Sequence, residues 1–346
     1  MLRLENVYRK WRDFYLESIS FEVEEGEYFI ILGPSGAGKT LLLEVIAGIF
    51  FPEKGKIYWN GEDITYLEPE RRGFAYVPQN YGLFPHMSVY ENIAYGLRLK
   101  KMTEKYISRK VREIADILGI GDLLNRKPKT LSGGEAQRVA IARSLVMNAK
   151  LLLLDEPFAN LDPLTSSKLL SDFRNWRKDI DFTAIHVTHS FEEALSLGDK
   201  VGIMLDGQLA QVGSIREVFS KPKDERIASF LGFENIIEGM AQGEELKANG
   251  IYIKLPKSLY GKARIAIRPE DVIISESPFK SSVRNIFEAT ISDIHDLGGI
   301  LKITLKVENL TIKALITKSS ALELGIAMGK KVFVGFKATA IHIFER

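Results

Sequence analysis

The hydrophobic positions of this chain fall into two kinds of run. Tyr28-Phe29-Ile30-Ile31-Leu32 and Leu151-Leu152-Leu153-Leu154 are continuous. A continuous apolar run of this length predicts a strand buried on both faces, as in a parallel sheet covered by helices on each side. Leu2-Arg3-Leu4-Glu5-Asn6-Val7 and Ser18-Ile19-Ser20-Phe21-Glu22-Val23 alternate instead, which predicts strands with one wet face. Residues 55–65 read as a hairpin turning at Asn60-Gly61. Phe74-Ala75-Tyr76-Val77 is a short strand stopped by Pro78, and a loop follows over 80–88. From 89 to about 119 the spacing turns helical, with a charged, solvated face over 105–113. A further strand is predicted over 182–189, a hairpin around Asp206-Gly207, and a helix over 215–231.

From about Gly239 the pattern changes. Short strands are predicted over 251–255, 263–267, 272–275, 287–294, 300–307, 311–316, 331–336 and 340–344. Spacing of this kind predicts a small all-β barrel without a catalytic motif. The chain therefore reads as an α/β domain over 1–235 and a β-barrel domain over 236–346, and 346 residues suffice for two cores.

Chemistry concentrates at Gly33-Pro34-Ser35-Gly36-Ala37-Gly38-Lys39-Thr40, which fits the phosphate-binding pattern G-x-x-x-x-G-K-[ST] between a predicted strand and a predicted helix. Gly33, Ser35, Gly36 and Gly38 let backbone N–H groups turn toward phosphate oxygens, and the helix N-terminus adds its positive end. Lys39 is placed to reach the β- and γ-phosphates and the Thr40 hydroxyl to ligate Mg²⁺. Ser132-Gly133-Gly134 opens another predicted helix and makes a second anion-binding terminus. Asp155 and Glu156 end the four-leucine strand, where active sites of parallel sheets lie. Two adjacent buried carboxylates are costly without a metal or a proton. His189 ends the next strand beside the expected phosphate, whereas His186 cannot face the same way and reads as a core residue. Trp11 stands among charged neighbours and either stacks on a nucleobase or packs on its own sheet.

Composition removes several alternatives. The formal net charge of +2 makes no global polycation, so nothing in the charge argues for nucleic acid as a partner. The chain has no cysteine, which excludes disulfides, thiolate catalysis and cysteine zinc sites. Met1-Leu2-Arg3-Leu4-Glu5 has no signal-peptide core, and no apolar run approaches the roughly 18 residues of a membrane span. Work at a membrane would therefore go through a partner.

Taken in order, residues 33–40, Gln79, Leu131-Ser132-Gly133-Gly134-Glu135, the 151–156 strand, Asn160-Leu161-Asp162 and His189 resemble the ATPases of ABC transporters. The resemblance covers about 1–235. It implies a P-loop ABC ATPase domain with a RecA-like core and a helical subdomain, with ATP and Mg²⁺ as cofactors. It implies Trp11 on adenine, Gln79 as the residue that contacts Mg²⁺ and water and senses a membrane subunit, and Asp155 near Mg²⁺. It implies Glu156 as general base and His189 at the γ-phosphate, roles that suit phosphoryl transfer. The resemblance also implies a homodimer, in which Ser132, Gly133 and Gly134 of one copy close on ATP held by the other. The loop around Phe84-Pro85-His86 would receive an integral membrane permease. Ala136 replaces a frequent Gln and Asn160 is a variation, neither of them on a catalytic group.

Arg268-Pro269-Glu270 resembles the motif of the accessory β-domain of importer ATPases. Segments 282–285, 316–320 and 336–339 resemble the molybdate-binding (Mop-like, OB-type) fold, which implies a tetrahedral oxyanion held by Ser282, Arg284, Thr317, Ser320 and Lys337 across a dimer interface. Hydroxyl, backbone and cationic donors suit a dianion. Across its length the chain most resembles the ATP-binding subunits of archaeal tungstate/molybdate importers. The resemblance implies a peripheral ATPase at the cytoplasmic face of the membrane. It would work with permease subunits and indirectly with an extracellular solute-binding protein, with oxyanion as a feedback ligand. The alternatives are an importer ATPase for sulfate, sugar, polyamine or ferric iron, and a soluble ABC ATPase of DNA repair or translation. Against the last stand the single cassette and the lack of sustained heptads. Tungstate and molybdate, dianions of nearly equal size, are not ranked by the sequence.

Overall fold

The computed structural model describes residues 1–278 and 281–344. They form two compact units, Met1–Ile215 and Arg216–Arg346.

The first unit opens with a hairpin, β1 (Leu2–Lys10) and β2 (Tyr15–Val23), closed where the Trp11 N–H donates to the Phe14 carbonyl at 2.7 Å. Then come β3 (Tyr28–Leu32), α1 (Lys39–Ala47), β4 (Lys54–Trp59), β5 (Glu62–Asp63), α2 (Pro69–Arg72) and β6 (Phe74–Val77). The β4–β5 turn has positive φ at Asn60 and Gly61, the geometry that Asn-Gly favours. The order continues α3 (Val89–Leu99), α4 (Glu104–Ile117), α5 (Gly133–Leu145), β7 (Leu151–Asp155), α6 (Pro163–Asp179), β8 (Ala184–Thr188), α7 (Phe191–Leu197), β9 (Lys200–Leu205) and β10 (Gln208–Ser214). The helical stretch expected over 89–119 is two helices, because Lys101 takes a positive φ and Thr103 caps a new start through the Tyr106 N–H.

Two sheets result. Strands β2-β1-β4-β5 make an antiparallel sheet, and β10-β9-β3-β8-β7-β6 make a six-stranded one in which β9, β3, β8, β7 and β6 run parallel. Every residue of β3, β7 and β8 is buried. The continuous apolar runs thus sit at the centre, and the loops at their C-terminal ends hold the candidate chemistry.

Arg72 is a structural feature of this unit. Its side chain is 2% exposed and donates to the carbonyls of Leu67 (2.8 Å), Val45 (3.1 Å), Ile46 (2.6 Å) and Thr65 (3.0 Å). Val45 and Ile46 are in the last turn of α1, where a cation meets the negative end of the helix. Burial holds the guanidinium down to about 10.

The second unit begins within α8 (Ile215–Ser220) and continues with α9 (Glu225–Phe230), β11 (Asn235–Ala248), β12 (Ile251–Ile267), β13 (Ile273–Ser275), β14 (Asn285–Asp296), β15 (Ile300–Val307), β16 (Leu310–Thr317), α10 (Lys318–Glu323), β17 (Lys331–Phe336) and β18 (His342–Ile343). The single helix expected over 215–231 is two short ones, parted near Pro222. Arg268 joins α8 and α9 to the strands of this unit through the carbonyls of Phe219 (2.8 Å) and Leu231 (3.1 Å). Segments 251–255 and 263–267 are one long strand, β12, paired with β11 through a register shift near Gly243. Sheets β11-β12-β18 and β13-β17-β14-β15-β16 share one apolar core that includes Ile253, Ile265, Ile303, Val334 and Phe336. Among the described residues, no helix of the chain is long and apolar enough to cross a membrane.

Candidate functional site

The site grows from the turn between β3 and α1. Gly33 has no room for a side chain, since a Cβ there would stand 2.2 Å from the Met204 carbonyl oxygen. Gly38, at φ +97, caps α1 with the Phe14 ring against it. Lys39 follows, 5% exposed, and donates to the carbonyls of Gly33 (2.9 Å) and Pro34 (3.0 Å). Its ammonium also lies 3.5 Å from Oε1 of Glu156. Burial pulls the Lys39 pKa down, and the Glu156 carboxylate opposes that shift.

Thr40 Oγ1 donates to Oδ1 of Asp155 at 2.9 Å, and the Tyr76 hydroxyl donates to Oδ2 at 3.0 Å. Asp155 is 4% exposed. Burial pushes its pKa up, and the bonds from Thr40 and Tyr76 pull it back. Glu156 takes φ +43, a conformation unusual for a residue with a Cβ, while its N–H donates to the Val187 carbonyl at 3.0 Å. Its Oε2 stands 3.3 Å from Nδ1 of His189, whose side chain is 53% exposed. The Glu156 carboxylate is thus held between a lysine and a histidine.

Lys39, Thr40 and Glu156 face a cleft of about 350 Å³ that is also lined by Phe14, Ser35, Gly36, Gly38, Leu41 and Gln79, while Asp155 and His189 stand behind that lining, bonded to Thr40 and paired with Glu156. A larger cleft of about 870 Å³ lies in the second unit, around Tyr260 and Arg264, and none of the predicted site residues lines it. Gln79 reaches the 350 Å³ cleft from the end of β6, and its carbonyl accepts from Nδ2 of Asn160 at 2.9 Å. Thr40 and Asp155 offer two hard oxygen donors side by side. Among the described residues no group of three His, Cys, Asp or Glu could hold a metal. Such a sparse donor pair fits Mg²⁺, which takes one or two protein oxygens and completes its shell with water and phosphate.

One expected residue, Trp11, is placed differently, while His186 lies in the core as expected. Trp11 does not line the cleft. Half-buried, its ring meets Phe50 edge-on at 5.7 Å and carries the Arg9 guanidinium 5.1 Å from its centre. The aromatic at the cleft is Phe14, because the turn closed between Trp11 and Phe14 leaves Phe14 over Gly38. His186 is buried between the Tyr28 hydroxyl (3.0 Å) and Glu193 (3.1 Å). Tyr76 carries a role that the apolar strand pattern concealed.

Ser132, Gly133 and Gly134 also stand outside this cleft. Ser132 caps α5 in a reciprocal box with Glu135, its N–H donating to the Glu135 carboxylate at 2.7 Å. Gly133 packs near Leu161 and Gly134 near Thr165, where no larger residue fits without movement. The N–H groups of Gly133 and Gly134 remain as first-turn donors of the helix. Among the described residues, the cleft at the phosphate loop is lined by none of these three.

The five expected oxyanion residues fall into two sets. Asn285 pairs with Phe336 across β14 and β17, and Arg284 and Lys337 each lie one residue outside that pair, with Ser282 nearby in sequence. Thr317 pairs with Ile300, and Leu301 pairs with Asp296 at the far end of β14. The Thr317 hydroxyl caps α10, accepting from the Ser320 N–H at 3.1 Å and meeting the Ser320 hydroxyl at 2.9 Å. The two sets therefore stand at opposite ends of β14.

Known families match a segment of each unit. The ABC transporter family profile matches residues 16–159, and the TOBE domain profile matches 281–343. The chain is 59% identical to the Molybdate/tungstate import ATP-binding protein WtpC of Pyrococcus horikoshii, over 99% of this chain and 100% of that one. It is 43% identical to the protein of the same name from Methanocaldococcus jannaschii, over 91% and 92%. The Fe(3+) ions import ATP-binding protein FbpC of Fusobacterium nucleatum is 33% identical over 99% and 93%. Among solved structures, a bacterial ABC transporter cassette determined as a dimer aligns with TM-score 0.57 and 28% identity, over 62% of this chain and 99% of that one. An ATP-binding cassette in its ADP conformation aligns with TM-score 0.58 and 29% identity, over 66% and 98%.

Proposed function

The chain belongs to the ABC transporter ATP-binding family, and we propose that it is the ATP-hydrolysing subunit of an importer for tungstate and molybdate. The observation that carries the substrate is the gradient of likeness. Full-length identity is 59% to a molybdate/tungstate import protein but 33% to 35% to proteins named for ferric iron, trehalose/maltose and sulfate/thiosulfate import.

The cleft supports a specific division of labour. Lys39 leaves the Gly33 and Pro34 carbonyls for the β- and γ-phosphates, and the loop N–H groups hold the remaining oxygens. Thr40 and Asp155 would hold Mg²⁺, with Gln79 at the edge of the cleft. When bound, the ion neutralises charge on the transferring phosphoryl group. Glu156 takes the proton of the attacking water, and His189 steadies Oε2 of Glu156 before meeting the γ-phosphate. Ser132, Gly133 and Gly134 complete the site from a second copy. ATP then joins two chains and hydrolysis releases them. The loop at 80–88 docks a membrane permease, which places the subunit at the cytoplasmic face, served indirectly by an extracellular binding protein.

An aromatic of the 11–14 turn covers the base. Phe14→Ala is expected to weaken nucleotide binding roughly tenfold, in line with about 1–3 kcal/mol per stacked base, and Trp11→Ala by much less. Titration with a fluorescent ATP analogue checks this, and the reverse order would return the role to Trp11.

For the second unit we propose an oxyanion sensor in which Ser282, Arg284 and Lys337 of one chain face Thr317 and Ser320 of another. Bound oxyanion would hold the ATPase domains apart. Calorimetry of the nucleotide-free protein is expected to give stoichiometric heat with tungstate and molybdate and none with sulfate. Silence with all three would leave the ATPase reading intact and reduce this domain to a dimer clamp. Arg284→Ala and Thr317→Ala chains, each silent alone, should regain part of the heat when mixed and re-formed as heterodimers.

A further inference from the structure

Asp155 ends β7, and Tyr76 lies on the neighbouring parallel strand β6. The register pairs Tyr76 with Leu153. Asp155 is two residues beyond Leu153, on the same face of the sheet, because side chains alternate with a period of two. The Tyr76 hydroxyl therefore crosses to Asp155 and donates to Oδ2 at 3.0 Å, while Oδ1 accepts from Thr40 at 2.9 Å. A carboxylate held at one oxygen can still turn about its last bond. Held at both, its plane is fixed.

We propose that Tyr76 is a positioning residue for the metal site, fixing the Asp155 carboxylate so that Oδ1 stays turned toward the Thr40 hydroxyl. This rests on the reading of the cleft as an Mg·ATP site. Tyr76 meets the site through its hydroxyl, which donates to the Asp155 carboxylate. It acts through Asp155, as groups behind a metal ligand do when they set its orientation. Gln79 lies three residues beyond Tyr76, just past the end of the same strand. A displacement of the Gln79 loop would thus reach the metal ligand through one hydrogen bond. Thr40 and Asp155 alone would leave half of the carboxylate unheld in a buried place, where an oxygen without a donor is costly.

Tyr76→Phe removes one oxygen and keeps the ring. The test uses the full-length protein and a fluorescent, non-hydrolysable ATP analogue. Affinity is measured first in EDTA and then as a function of added Mg²⁺, with bound Mn²⁺ counted by electron paramagnetic resonance. The expected result is unchanged analogue affinity in EDTA and an apparent metal affinity about tenfold weaker than that of the unaltered chain. Hydrolysis should show the same split, with a raised Mg²⁺ requirement and a rate that recovers at saturating metal. Unaltered metal affinity in Tyr76→Phe overturns the proposal. So does an equal loss of affinity in EDTA, which would make the tyrosine a packing residue. If the unaltered chain shows no metal-dependent binding, the Mg·ATP reading itself falls.

Discussion

Glu156→Gln is expected to stop hydrolysis while leaving nucleotide bound. The loss should be on the order of 10²- to 10⁴-fold, the range that a positioned general base supplies. Gln matches Glu in shape, so it can keep the φ of +43 and the backbone bond to Val187. It lacks the negative charge and the capacity to take a proton. The variant should therefore collect ATP and persist as a dimer, whereas unaltered protein turns over and separates. Phosphate release measures the first effect, and gel filtration with and without ATP measures the second. Retention of a tenth or more of the rate would move the base elsewhere. The ion pair of Lys39 with Glu156 sharpens the expectation. Removing the negative charge frees the lysine for phosphate, so affinity should rise, not fall.

Arg72→Met is expected to cost about 3 kcal/mol or more of stability. Each buried carbonyl left without a donor costs about 1–3 kcal/mol, and Arg72 serves four. The first transition in a urea titration should move to lower denaturant, and nucleotide should restore part of the loss by binding the folded form. Arg72→Lys keeps the charge but not the planar fork, so it should recover only part of the stability. A midpoint unchanged in Arg72→Met would mean that water can take the place of the guanidinium.

The sequence made the parallel sheet and its phosphate loop legible for a physical reason. A strand buried on both faces must be apolar throughout, as 28–32 and 151–154 are, and a loop that cradles phosphate must be rich in glycine. Groups brought together by topology alone were not legible. Arg72 reads as one more charge in Glu68-Pro69-Glu70-Arg71-Arg72, because its partners are 5 to 27 residues away and are all backbone carbonyls. Tyr76 reads as one strand residue among others until β6 is set beside β7. Trp11 and Phe14 share a turn, and only its closure decides which ring meets Gly38. The break between α3 and α4 depended on a positive φ at Lys101, a residue type that seldom announces one. In the second unit, Thr317 looks like the end of a strand and is also the cap of α10.

The separation of Arg284 and Lys337 from Thr317 along β14 bears on how such a sensor would respond in a cell. A binding site divided between two chains exists only where the chains are paired, so ligand affinity and pairing are linked by mass action. Dilution of the subunit would lower its apparent affinity for oxyanion without any change in the residues themselves. An overproduced subunit would be inhibited at lower oxyanion levels than a scarce one. The set point of uptake would then vary with the copy number of the transporter as well as with the anion.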